Sequence, residues 1–255
     1  MSVAQQHIVK KFDDEIEHLR STVLKMGEIA QRQVEEAVRA LVEREMGTAK
    51  MVLRREKWLD DLEVAADEIL VHVFLTRQPT GPDLRTVLAL GRCGRDFERI
   101  GDEAQRIAEI ALQLDTKSRD YPTAELLVDV GTMGRNGMQR IEDALALIKR
   151  PSTARAIELA RPEHHIAQEF SAGLRRAVTF VLEDARNVGV VVSLALVLRS
   201  LERVGGHSQN IAEHIIFQQR GEDVRHRDVE EIERSLGGLV GPLSERPPPS
   251  DEEVR

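Results

Sequence analysis

Apolar residues recur at steps of three and four through the first stretch of the chain: Phe12, Ile16, Leu19, Val23, Met26, Ala30, Val34, Ala37 and Leu41. Steps of that size place the side chains on one stripe of a helix about thirty residues long. A second stripe runs through Met51, Leu59, Leu62, Ala66, Ile69 and Val73 and stops at Gln78-Pro79, where proline and the following Thr80-Gly81-Pro82 cannot continue a helix. Asp83 then reads as an N-cap, and Leu84, Val87, Leu88, Cys93, Phe97, Ile100, Ile107 and Leu112 line a third helix. Three long helices thus precede Asp115.

After the polar link Thr116 to Pro122 the pattern starts again. Met26 matches Met133, Val34 matches Ile141, Glu35 matches Glu142, Leu41 matches Ile148, Glu56 matches Glu163 and Leu75 matches Leu182, all 107 residues apart. Beyond the turn the offset is 104, and Phe97 to Glu109 lies on Leu201 to Glu213 with seven identical pairs, a glycine and an arginine among them. Amphipathic helices share composition, but that alone does not align a glycine and an arginine in register. The expected architecture is all-α: two tandem three-helix bundles, spectrin-repeat-like in outline, over residues 10–115 and 121–220, six long helices in all. Residues 221–255 are expected to add a short C-terminal helix and a disordered tail, since Gly237 to Arg255 holds Gly-Gly, three consecutive prolines and a charged end.

Composition narrows the function. Lys plus Arg number 36 against 44 Asp plus Glu, a formal net charge of −8, which is the wrong sign for a sequence-independent grip on nucleic acid. Aromatics are 3% of the chain, consistent with a helical core. The one cysteine, Cys93, falls on the apolar stripe of the third helix and can form neither an internal disulfide nor a thiolate cage, so a reducing cytoplasm suits the chain. The first twenty residues lack a signal-peptide pattern, and the longest nearly apolar run, Val188 to Leu198, falls short of the ~20 residues a membrane-spanning helix needs.

Candidate chemistry lies in carboxylates spaced by four. On a helix such residues share a face, where paired oxygens suit a hard cation. Glu56/Asp60 on the second helix and Glu98/Asp102 on the third would bring four together if those helices pack side by side, and Gly101 would let the neighbour approach. With 44 acids such spacings also arise by accident. The second copy keeps Glu163 and Glu202 but has Ala167 and Gly206 where the aspartates stood, leaving at most a residual second site. His164, His165 and His207 adjoin it but read as surface or ordinary hydrogen-bonded histidines. The glutamate-x-x-histidine spacing of di-iron bundles occurs only at Glu15/His18. No Gly-rich phosphate loop or nucleophile elbow is present.

The repeat, the loop Arg77-Gln-Pro-Thr-Gly-Pro-Asp-Leu-Arg85, Phe97-Glu-Arg-Ile-Gly-Asp102, Leu201-Glu-Arg-Val-Gly-Gly206, Asn210-Ile-Ala-Glu213 and Val181-Leu-Glu-Asp184 with Arg186-Asn187 together resemble the PhoU family, from about Phe12 to Phe217. The resemblance implies a cytoplasmic, often homodimeric protein that regulates phosphate uptake and is not an enzyme. It implies restraint of the phosphate-starvation response through contact with the ATPase subunit of the phosphate ABC transporter and with a sensor histidine kinase, reaching the membrane only through those partners. Some members hold metal clusters on acidic four-residue motifs, which here fall on Glu56, Asp60, Glu98 and Asp102; iron, zinc, manganese or magnesium would suit. Arg85, Arg99 and Arg203 are candidate docking residues, each equally readable as a helix ion pair. The competing readings are a metal-binding bundle with no part in phosphate signalling and a purely architectural one.

Overall fold

The computed structural model describes residues 3–116, 121–161, 164–225, 227 and 231, of which 3–10, 116 and 164–167 by backbone alone. Seven α-helices carry the described chain: α1 (Val3–Val42), α2 (Met46–Arg77), α3 (Gly81–Thr116), α4 (Ala124–Lys149), α5 (Thr153–Ala160), α6 (His164–Glu183) and α7 (Val188–Arg220), with one 3-10 turn at Ala185–Asn187. The stripe from Leu19 to Leu41 is the buried face of α1, with Leu19, Val23, Met26, Ala30, Val34, Ala37 and Leu41 all out of solvent. Gln78 ends α2 in the left-handed conformation, at φ 48°, just ahead of Pro79. α3 opens at Gly81, itself at φ +56°, so Asp83 lies in the first turn rather than at the cap and there complements the helix dipole.

The repeat governs where helices stop. α1 and α4 end 107 residues apart, α2 and α5 begin 107 apart, and α3 and α7 end 104 apart. One expectation fails in the second copy: its middle helix is not one long rod but is split into α5 and α6. Arg161 leaves the helical region at ψ 128°, as the residue before Pro162 is driven to do, and its N–H turns back to the carbonyls of Ile157 and Glu158. The expected short C-terminal helix and tail lie outside the described residues, apart from positions 221–225, 227 and 231.

α1, α2 and α3 form one bundle and α4, α5/α6 and α7 the other, and the two are joined along α3 against α7 and α1 against α4. Both seams run antiparallel. Thr86 meets Gln218 while Glu103 meets Arg203, and Arg20 reaches the carbonyl of Ile148 while Gln31 reaches that of Met138. One continuous apolar core passes through both copies, Phe97, Ile100, Leu194 and Val197 included. Cys93 is buried within it. α2 lies at one edge of the molecule and α6 at the other, and each exposes aliphatic residues at equivalent positions, Val71 and Leu75 on α2 and Val178 and Leu182 on α6. No described helix is long and apolar enough to cross a membrane.

Candidate functional site

Close packing of α2 on α3 creates the acidic face. Gly101 is the point of contact, since a Cβ there would stand 2.3 Å from Leu59 Cδ2, 3.1 Å from Gln33 Oε1 and 3.5 Å from Glu56 Oε1. Glu56 is only 8% exposed, and Gln33 Nε2 donates to its Oε2 at 2.9 Å while Oε1 has no hydrogen-bond partner. Burial pushes the Glu56 carboxyl up to about 7; the Gln33 bond opposes the shift, and the nearby charges of Asp60, Asp102 and Glu98 add to it. Burial likewise raises Glu98, with Asp102, Glu63 and Asp60 adding to the effect and Arg99 offsetting part of it. The structure therefore brings all four sequence candidates to one face and adds Glu63.

Whether these residues suit a metal turns on donor chemistry. They offer hard oxygens, an excess of negative charge and one buried carboxylate oxygen, Glu56 Oε1, with nothing to accept from. The face is nevertheless open: among the described residues no three His, Cys, Asp or Glu side chains stand in an arrangement that could hold a metal ion. The donor set fits a cation; a closed cage would require side chains to rotate inward.

The second copy differs. Glu163 lies outside the described residues, as does the side chain of Ala167. Glu202 is held by Arg199 at 2.5 Å, and Gly206 has open space where Asp102 projects in the first copy. The counterpart of Gln33 is Arg140, buried at 6% exposure, with Nη2 donating to the carbonyl of Leu159 at 2.8 Å.

The candidate docking arginines are all engaged. Arg99 sits 3.5 Å from Glu98 and 3.6 Å from Asp102, inside the acidic face. Arg203 reaches across the seam to the buried Glu103 at 2.8 Å. Arg85 donates to the carbonyl of Gln218, on the same seam. Glu15, of the lone Glu-x-x-His pair, is bound by Arg77 at 2.6 Å and ties the start of α1 to the end of α2.

Sequence reasoning missed the polar centre of the α3–α7 seam. Asp96 accepts from His207 Nδ1 at 2.9 Å, Asn210 Nδ2 at 3.0 Å and His214 Nε2 at 3.0 Å. Burial pushes its carboxyl up, but the donors on α7 outweigh this and hold it down at about 2. An ionised Asp96 fixes the ring nitrogens facing it as donors. His207 is thus an ordinary hydrogen-bonded histidine, but its partner is 111 residues away and no local signal announces it.

The sequence profile of the PhoU domain matches residues 23–111 and again 130–215, and the two matches start 107 residues apart and end 104 apart, the offsets of the internal repeat. The phosphate-specific transport system accessory protein PhoU homolog of Pseudomonas putida is 36% identical over 234 residues, covering 92% of this chain and 90% of its own. The accessory protein PhoU of Escherichia coli K12 is 32% identical, covering 91% and 95%. The crystal structure of PhoU from Pseudomonas aeruginosa superposes with a TM-score of 0.78 at 34% identity, covering 83% of this chain and 100% of that one. The phosphate transport system regulatory protein PhoU from Streptococcus pneumoniae, at 22% identity, shares the fold with a TM-score of 0.74.

Proposed function

The chain belongs to the PhoU family, and from that membership we propose that it is a cytoplasmic regulator that restrains the phosphate-starvation response when phosphate is plentiful. It works by binding, as an adaptor between the ATPase subunit of the phosphate ABC transporter and a sensor histidine kinase, with no bond chemistry of its own. The observation that carries the reading is similarity along both repeats to transport-system accessory proteins that match it nearly end to end. The exposed aliphatic edges of α2 and α6 are surfaces a protein partner or a second copy in a homodimer could cover. The test is alkaline phosphatase activity in a deletion strain grown in excess phosphate. High activity, returned to low by this gene, is expected; unchanged activity would overturn the reading.

A second reading is metal binding on the first repeat, favoured by the Glu56 carboxyl raised among three other acids. Glu56, Asp60, Glu98 and Asp102 would hold the ion, which would add to the positive charge that Arg99 alone brings to them. Replacing Glu98 and Asp102 with alanine should then lower both the metal content and the metal-dependent melting temperature of the purified protein. A double variant indistinguishable from wild type in both would remove metal from the account.

A further inference from the structure

A groove of about 590 Å³ between α1 and α2 carries a donor set that takes no part in either reading above. Glu15 and His18 line it from α1, three residues apart, and Glu68 and His72 line it from α2, four apart. Each spacing puts its two side chains on one helix face, with Cβ atoms about 5–6 Å apart. The two pairs meet, since His72 Nε2 stands 3.5 Å from Glu15 Oε1. The helices run antiparallel, Glu15 meeting Arg77 while Gln33 meets Glu56. Fifteen residues back from Gln33 and sixteen on from Glu56 arrive at His18 and His72, so the two histidines stand at one level of the helix pair, on opposite walls. Glu68 lies one turn from that level along α2. Arg77 occupies both oxygens of Glu15, at 2.8 and 2.6 Å, and leaves that carboxylate as a fixed wall beside His72.

We propose that His18, His72 and Glu68 form a transition-metal site that clips α1 to α2, taking Zn²⁺ or a similar imidazole-seeking ion with water in the fourth position. Two imidazoles and a carboxylate suit Zn²⁺, Ni²⁺ and Cu²⁺, whereas the all-oxygen acidic face suits harder ions, so the two places select different metals. As they stand the three side chains do not enclose an ion. All three are exposed, and rotation about their side-chain bonds brings them together without disturbing the core. Lys25, the cation that shares the groove, lies two turns along α1 from His18 and leaves the histidines to the ion. A bound ion would reinforce the Glu15–Arg77 tie, which joins the same two helices at the same end.

The test compares wild type with His18→Ala/His72→Ala and with Glu98→Ala/Asp102→Ala, which alters only the acidic face. Each full-length protein is dialysed against Zn²⁺ alone for bound equivalents, melted in chelator and in Zn²⁺, and titrated with Co²⁺, whose visible absorption reports nitrogen ligands. The histidine variant is expected to hold one equivalent of Zn²⁺ fewer than wild type, to lose the Co²⁺ band, and to melt in Zn²⁺ where it melts in chelator. The acidic-face variant is expected to keep the Co²⁺ band and the Zn²⁺-dependent rise in melting temperature. Glu68→Gln is expected to weaken Zn²⁺ binding at least about tenfold. Wild type that takes up no Zn²⁺, or a histidine variant that matches it in uptake and absorption, overturns the proposal; so does a Glu68→Gln protein of unchanged affinity. If the double histidine variant melts below wild type in chelator, His18→Asn and His72→Asn are made singly, and each must lose the Co²⁺ band; a band that survives in either overturns the site. The phosphatase assay does not enter this comparison, so the regulatory reading and the metal site stand or fall separately.

Discussion

Gly101 and Leu59 meet where α3 crosses α2, with room for a hydrogen but not for a methyl group: an added Cβ would stand 2.3 Å from Leu59 Cδ2. Gly206, one residue past the equivalent position in the second copy, faces nothing within 4 Å. Gly101→Ala is therefore expected to push α2 outward and cost about 1–3 kcal/mol. Gly206→Ala, in open space on a helix, is expected to gain about 0.5–1 kcal/mol. Urea unfolding midpoints of the two variants, moving in opposite directions, check this.

Glu56 makes the fold sensitive to alkali. Its carboxyl holds a proton to about 7, against 4.5 for an unperturbed glutamate, so the folded chain binds that proton more tightly than the unfolded one. The stabilisation is complete below pH 4.5 and is lost as pH rises through 7. Glu56→Gln keeps the shape without the titration and should be more stable than wild type at pH 8, by up to about 3 kcal/mol. Denaturation curves between pH 4 and pH 8 check it: wild type should lose stability across that window relative to the variant, and parallel curves would refute the assignment.

Asp96 has the opposite pH signature. With its carboxyl held at about 2, it contributes stability above its ordinary value of 3.8 and loses it as pH falls toward 2. Asp96→Ala leaves His207, Asn210 and His214 without their acceptor inside the seam, which should cost about 3 kcal/mol near neutrality. Acid unfolding followed by circular dichroism should show the variant losing its steepest acid-dependent component.

Val71 and Leu75, 56% and 74% exposed on the α2 edge, are not needed by the core. Replacing both with aspartate should alter stability by less than about 0.5 kcal/mol. If this edge carries a partner, the same variant should fail to repress alkaline phosphatase in excess phosphate. A folded variant that represses normally would move the partner surface elsewhere.

The repeat was legible because packing forces glycine, arginine and apolar positions to recur in register, and the helix ends obey the same offsets. The four carboxylates were legible because their spacing is local to a helix. Glu63 has a carboxylate four residues on, Asp67, but its place beside Glu98 is set by the crossing of α2 over α3, which spacing cannot express. The split of the second copy's middle helix was written in Arg161-Pro162, yet the strong match of Glu56 to Glu163 argued for a continuous rod; the proline's local demand overrode the repeat. Asp96 with His207 and His214 was invisible because antiparallel seams pair residues more than a hundred positions apart.

The edges of α2 and α6 repeat in shape but not in sign. Glu68, one turn before Val71 and two before Leu75 on the exposed side of α2, has Arg175 as its counterpart, one turn before Val178 and two before Leu182 on α6. A ligand that selects by contour alone would find two addresses on this molecule; one that selects by potential finds a single address. Charge reversal at this one repeated position thus leaves the two edges alike in contour and unlike in potential.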